Sequence, residues 1–163
     1  MEPTIQNAED EAARLLAVEW WQNGSRFDPL PVDPYAIARQ LGIQVQVATL
    51  PPDQSGNIVI PAQGVSTITL NKRDHPNRQR FTCAHEIGHY VRRTTGPNRL
   101  PGSFSDYRTT LAGLGTDPEE IFANQFAAAL LMPSHVVSRF RHEGWTERQI
   151  AGLLRTSEQA MML

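Results

Sequence analysis

The sequence predicts an α+β fold: a small three-stranded sheet, antiparallel or mixed, packed on a helical bundle. Three observations predict it. Strand patterning is confined to residues 43–70, while helical spacing of apolar residues fills the chain before and after that stretch. Proline and glycine clusters separate the patterned segments, as at Pro51-Pro52, Pro61 to Gly64 and Gly96-Pro97. With 163 residues, 40% of them hydrophobic, the chain is long enough to bury one real core. A single domain over 1–163 is expected, with an N-terminal helix and linker (1–32), a central core (33–133) and a C-terminal helical segment (134–163).

Taken in order, residues 8–22 form an amphipathic helix in which Ala12, Leu15, Leu16, Glu19 and Trp20 keep helical spacing. Glu9, Asp10 and Glu11 fall in its first turn, where the helix dipole favours acids, and Asn23-Gly24-Ser25 stops it. Asp33 can cap a second helix that has Pro34 at its first position and ends at Gly42. Residues 43–49 alternate apolar and polar as a half-buried strand does. The runs 56–60 and 66–70 read as two more strands, the last a plausible edge for an added peptide strand.

Asp74-His75-Pro76 starts a helix that runs to about Arg93 and carries Gly88 in its interior. A mid-helix glycine costs about 1 kcal/mol relative to alanine, which suggests that another backbone or a functional site packs closely there. Residues 96–116 hold four glycines and two prolines with little periodicity and read as a long loop. Asp117-Pro118 opens an alanine-rich helix that stops at Pro133 and carries few charges, the mark of a buried element. Ser134 caps the next helix, through Phe140. Thr146 and Gln149 form a capping box for another that ends near Arg155, and Ser157 begins a last short one.

Chemistry concentrates at His85-Glu86-Ile87-Gly88-His89. Histidines four apart on a helix leave the same face about 6 Å apart along the axis, so both rings can reach one metal ion. Zn²⁺ is the usual occupant of such a site, and Glu86 sits where it can take a proton from a water at the ion. A third protein ligand is needed, and Glu119 and Glu120 are the candidates on the alanine-rich helix. Glu120 shares a face with Ala123, Asn124 and Ala127. Asn124, one turn on, can hydrogen-bond a ligating histidine or Glu120. Both acids also suit the first turn of a helix for the dipole alone.

Bulk properties narrow the rest. A net charge of -2 gives no global basic excess for nucleic acid. Cys83 is the only cysteine, which excludes an internal disulfide and a multi-thiolate zinc site. No stretch approaches the roughly 20 apolar residues of a membrane span, and Met-Glu-Pro-Thr is not the start of a signal peptide. A cytoplasmic protein that does not contact the membrane is expected.

The blocks Phe81-Thr82-Cys83-Ala84-His85-Glu86-Ile87-Gly88-His89 and Glu120-Ile121-Phe122-Ala123-Asn124-Gln125-Phe126-Ala127-Ala128-Ala129-Leu130-Leu131-Met132-Pro133 resemble the ImmA/IrrE metallopeptidase family, over about 33–163. The resemblance implies a minimal gluzincin-like (zincin) metallopeptidase with C-terminal helix-turn-helix-like helices. It implies zinc ligands His85, His89 and Glu120, with Glu86 as general base. Its implied substrate is a helix-turn-helix (Xre-type) repressor or antitoxin encoded nearby. The alternative it leaves open is a toxin-like zinc-binding partner of an Xre-type antitoxin with weak or no proteolytic activity. The added C-terminal sensor domain of the radiation-response members is expected to be absent. Direct DNA binding is not expected, because Ser157–Leu163 offers no basic side chain and only Gln159 as an amide. For the oxyanion stabiliser, Tyr107, His75, His135 and His142 are candidates without motif support.

Overall fold

A computed structural model describes residues 5–21, 30–95, 103–109 and 117–162. Its elements are α1 (Ile5–Glu19), α2 (Pro34–Gln40), β1 (Gln44–Ala48), β2 (Gln54–Ile60), β3 (Thr67–Asn71), α3 (Pro76–Thr94), β4 (Phe104–Thr109), α4 (Pro118–Leu131), α5 (Ser134–His142) and α6 (Glu147–Leu154). A single 3₁₀ turn at Ala160–Met162 follows. The α+β class stands as the sequence predicts it.

The helix starts follow their capping residues. The Asp33 carboxylate accepts from the backbone N–H groups of Tyr35 and Ala36, at 2.9 and 3.2 Å, with Pro34 as the first helical residue. Asp117 accepts from Glu119 N–H at the start of α4, and the Thr146–Gln149 capping box is complete at the start of α6. At α3 the cap is His75, whose Nδ1 accepts from Asn77 N–H at 3.1 Å. Two details differ. α1 begins at Ile5, so Glu9, Asp10 and Glu11 fall beyond its first turn. Ser134 is the first residue of α5, behind Pro133, and makes no capping bond. The expected stop at Asn23-Gly24-Ser25 lies outside the described residues.

The three strands read in the sequence form a mixed sheet, and a fourth joins it in the order β1-β3-β2-β4. β3 runs parallel to β1 and antiparallel to β2, and β4 pairs antiparallel with β2. Two expectations are corrected here. β3 is central and has no free edge for a peptide. The 96–116 stretch is not loop throughout, because Phe104–Thr109 is a strand. The remainder of that stretch, with the Gly96-Pro97 helix stop, lies outside the described residues. Asn71, 1% exposed, locks the joint between sheet and helix: its amide donates to Gln54 O and Pro51 O, and its own carbonyl accepts from Gln79 Nε2.

α3 is sandwiched. On the sheet side, a Cβ at Gly56 of β2 would lie 2.6 Å from Thr82 Cγ2, so the strand rests directly on the helix. On the other side, a Cβ at Gly88 would lie 3.1 Å from Ala123 Cα of α4. The glycine and the alanine stripe together let the two helix backbones approach. α1 covers the far face of α4, and one buried apolar cluster runs from Ala8 through Ile58, Ile87 and Phe126 to Leu154. Arg80, 7% exposed, ties α3 to both flanking segments by donating to Val32 O at 2.7 Å and Leu154 O at 3.5 Å.

After α6 the described chain makes only a single 3₁₀ turn, and no recognition helix follows there. Among the described residues no single helix is long and apolar enough to cross a membrane. The α4–α5 pair passes on length and composition but bends by 50°.

Candidate metal centre

His85 and His89 project from consecutive turns of α3, and Glu120 reaches them from the first turn of α4. The two Nε2 atoms are 3.1 Å apart, and the carboxylate oxygens of Glu120 lie 3.3 Å from His85 Nε2 and 3.1 Å from His89 Nε2. Ligands about 2.0–2.1 Å from one tetrahedral ion stand about 3.3 Å from each other, so the three donors already have the spacing such an ion requires. Two imidazoles and one carboxylate also form a donor set suited to a borderline divalent metal. Among the described residues, His85, His89 and Glu120 are the group whose ligand atoms converge in this way.

The sequence positions these groups through helix packing. Gly88 lies between the histidines on the surface that α4 approaches, and Ala123 is the α4 residue it meets. Three residues before Ala123 comes Glu120, and one after it comes Asn124. Asn124 Oδ1 lies 3.0 Å from His85 Nδ1. With the amide oxygen as acceptor, the ring carries its proton on Nδ1 and turns the Nε2 lone pair toward the centre. The expectation that Asn124 supports a histidine therefore matches the geometry.

Burial pushes the Glu120 carboxyl up. Hydrogen bonds and charge interactions with His85 and His89 outweigh that and hold it well below the usual carboxylate range. Glu86 is fully buried. It falls one helical turn after Thr82, on the side of α3 that faces β2. Cys83 is also fully buried, and its thiol is pushed far up, first by burial and then by the nearby Glu86 charge.

Glu119 is the residue whose placement the sequence understated. It does not simply occupy an exposed first turn: both its carboxylate oxygens accept from Arg93 Nη2, at 3.0 and 2.9 Å. The same guanidinium lies 3.5 Å from the ring centroid of Phe104, and that ring lies 5.6 Å from the ring of His89. A signal was present. Arg93 stands one turn beyond His89 and Glu119 immediately before Glu120, so opposite charges flank the proposed ligands on both helices.

The three histidine candidates for the oxyanion stabiliser do not join the converging group. His75 caps α3 ten residues before His85, about 15 Å along the axis. His135 packs edge-on against Trp21 at 5.9 Å, beside a cavity of about 550 Å³ between α1, α4 and α5. His142 sits in the last turn of α5. The Tyr107 backbone pairs with Asn57 in the β4–β2 register, and its side chain lies outside the described residues.

Comparison with known proteins agrees with this picture. A peptidase family (M78), described as the IrrE N-terminal-like domain, matches residues 38–162, which span every element that contributes to the centre. The radiation response metalloprotease IrrE of Deinococcus radiodurans is 36% identical over 95 residues, covering 57% of this chain. The aligned stretch covers only 27% of that relative's length.

Proposed function

The chain belongs to the ImmA/IrrE metallopeptidase family, and from that premise we propose that it is a zinc-dependent endopeptidase. The observation that carries the proposal is the convergence of His85, His89 and Glu120 at spacings of 3.1–3.3 Å. In this reading His85 and His89 hold the ion through Nε2 and Glu120 through its carboxylate, while Asn124 keeps His85 in the ligating tautomer. Zinc, when bound, supplies Lewis-acid polarisation of the scissile carbonyl and a more acidic water.

Glu86 moves the proton. Its carboxylate takes one from the attacking water and returns it to the nitrogen of the departing amine, so the residue ends the cycle as it began. Its burial excludes bulk water from that exchange. The substrate we propose is a helix-turn-helix (Xre-type) regulator encoded nearby and met in the cytoplasm. Family membership and the relative's description as a metalloprotease support a protein substrate. The chain is read as one metallopeptidase domain.

The test is to incubate the metal-loaded protein with that regulator, with and without a chelator. Cleavage should be chelator-sensitive. Glu86→Gln should keep the metal while losing at least about 10²-fold in rate, the usual worth of a general base. Equal cleavage by Glu86→Gln would overturn the assignment of Glu86. A stable, uncleaved complex with the regulator would overturn the peptidase reading.

A further inference from the structure

His85 and Glu86 are fully buried, His89 is 1% exposed and Glu120 8%. The ring against His89 belongs to Phe104, the first residue of β4. From there β4 runs antiparallel along β2, in register Ile60 with Phe104, Val59 with Ser105, Ile58 with Asp106 and Asn57 with Tyr107. β2 is the strand that lies on α3, through Gly56 against Thr82 and through Arg78 Nε donating to Ser55 Oγ at 2.9 Å. Its outer edge thus runs beside the helix that carries His85, Glu86 and His89, and β4 occupies that edge with the pairing an extended peptide uses when it adds to a sheet.

We propose that the outer edge of β2 is the docking surface for an extended substrate segment, and that β4 is its resident occupant, latched through Phe104 by Arg93 and Glu119. The latch consists of two hydrogen bonds from Arg93 to Glu119 and the stacking of the same guanidinium on Phe104. Substrate enters by displacing β4, and its own backbone then makes the bonds to β2 that β4 gives up. An aromatic or large apolar side chain takes the place of Phe104, between His89 and Arg93. The latch residues are positioning residues that set how often the edge is free. This rests on the peptidase reading above.

Two readouts separate the inference from that reading. Glu119→Gln, in metal-loaded protein, should speed hydrogen exchange at the β4 amides about two- to fivefold, the effect of losing one partly exposed ion pair. It should also raise the cleavage rate of casein by a similar factor at unchanged metal content. A fall in cleavage with metal content and melting temperature unchanged would show that β4 is itself part of the docking platform, and would overturn the proposal. A second variant joins the paired positions by a disulfide, Val59→Cys with Ser105→Cys, at the spacing an antiparallel pair provides. Oxidised, it should cleave casein at least about tenfold more slowly than after reduction with a phosphine, because the competent state is then locked away. Equal rates overturn the proposal. Failure of every form to cleave both casein and the regulator would overturn the peptidase reading, and the latch is then decided by exchange alone: unchanged protection in Glu119→Gln overturns it.

Discussion

At His85 the choice of ring nitrogen is settled from the neighbouring helix. Asn124 Oδ1 accepts from Nδ1, and Nε2 is left to face His89 and Glu120. Asn124→Ala removes that acceptor without touching a ligating atom. Metal affinity, measured by competition with a chromophoric chelator, should fall about 10–100-fold, the usual cost of losing such a support. Unchanged affinity would mean that packing alone orients the ring. Asn124 was legible in the sequence because it stands one turn after Glu120 on a face that helical spacing defines. Glu119 was only faintly legible: opposite charges flank the proposed ligands, but its partner Arg93 lies on another helix and no spacing rule pairs them. Cys83 makes a second residue-scale test. Burial and the nearby Glu86 charge raise its thiol, so the reactive thiolate is scarce near neutral pH. A thiol reagent at pH 8 should modify it only after denaturant is added, and rapid native-state labelling would contradict the packing described.

Between elements, the crossing of α3 and α4 turns on one missing methyl. In an isolated helix Gly88→Ala would be favourable by about 1 kcal/mol. Here the added Cβ meets Ala123 Cα and Phe126 at 3.1 Å, and a backbone atom in a packed helix yields little. Overpacking of this kind costs about 1–3 kcal/mol, so the net change should be destabilising. A urea midpoint shifted upward would show that the helices have slack. That close approach was legible, because a glycine inside an otherwise strong helix needs a reason. β4 was not legible. Phe-Ser-Asp-Tyr-Arg-Thr lacks a clean two-residue alternation, and the strand exists by pairing with β2, an interaction that local sequence does not encode. The parallel β1–β3 pair was hidden for the same reason. Each strand's own residues announced a strand, but nothing local states that β3 sits between β1 and β2.

At the scale of the whole molecule, the match to the peptidase family begins at residue 38, which leaves α1 outside it. The packing gives α1 a larger part than that boundary suggests. Ala8 and Ala12 are fully buried and Leu16 is 2% exposed, all in the same apolar cluster as Phe126 and Leu130 of α4. α4 also carries Glu120, so the helix that completes the proposed centre is braced by an element beyond the matched region. If the chain unfolds as one unit, Leu16→Ala should cost about 2–5 kcal/mol, as other large-to-small core changes do. For a chain of this size that lowers the melting temperature by about 5–15 °C. The transition should remain single, and the fall should be equally visible in far-UV circular dichroism and in release of bound metal. An unchanged melting temperature, or metal release that leaves the far-UV transition behind, would make α1 an appendage to an independently stable core.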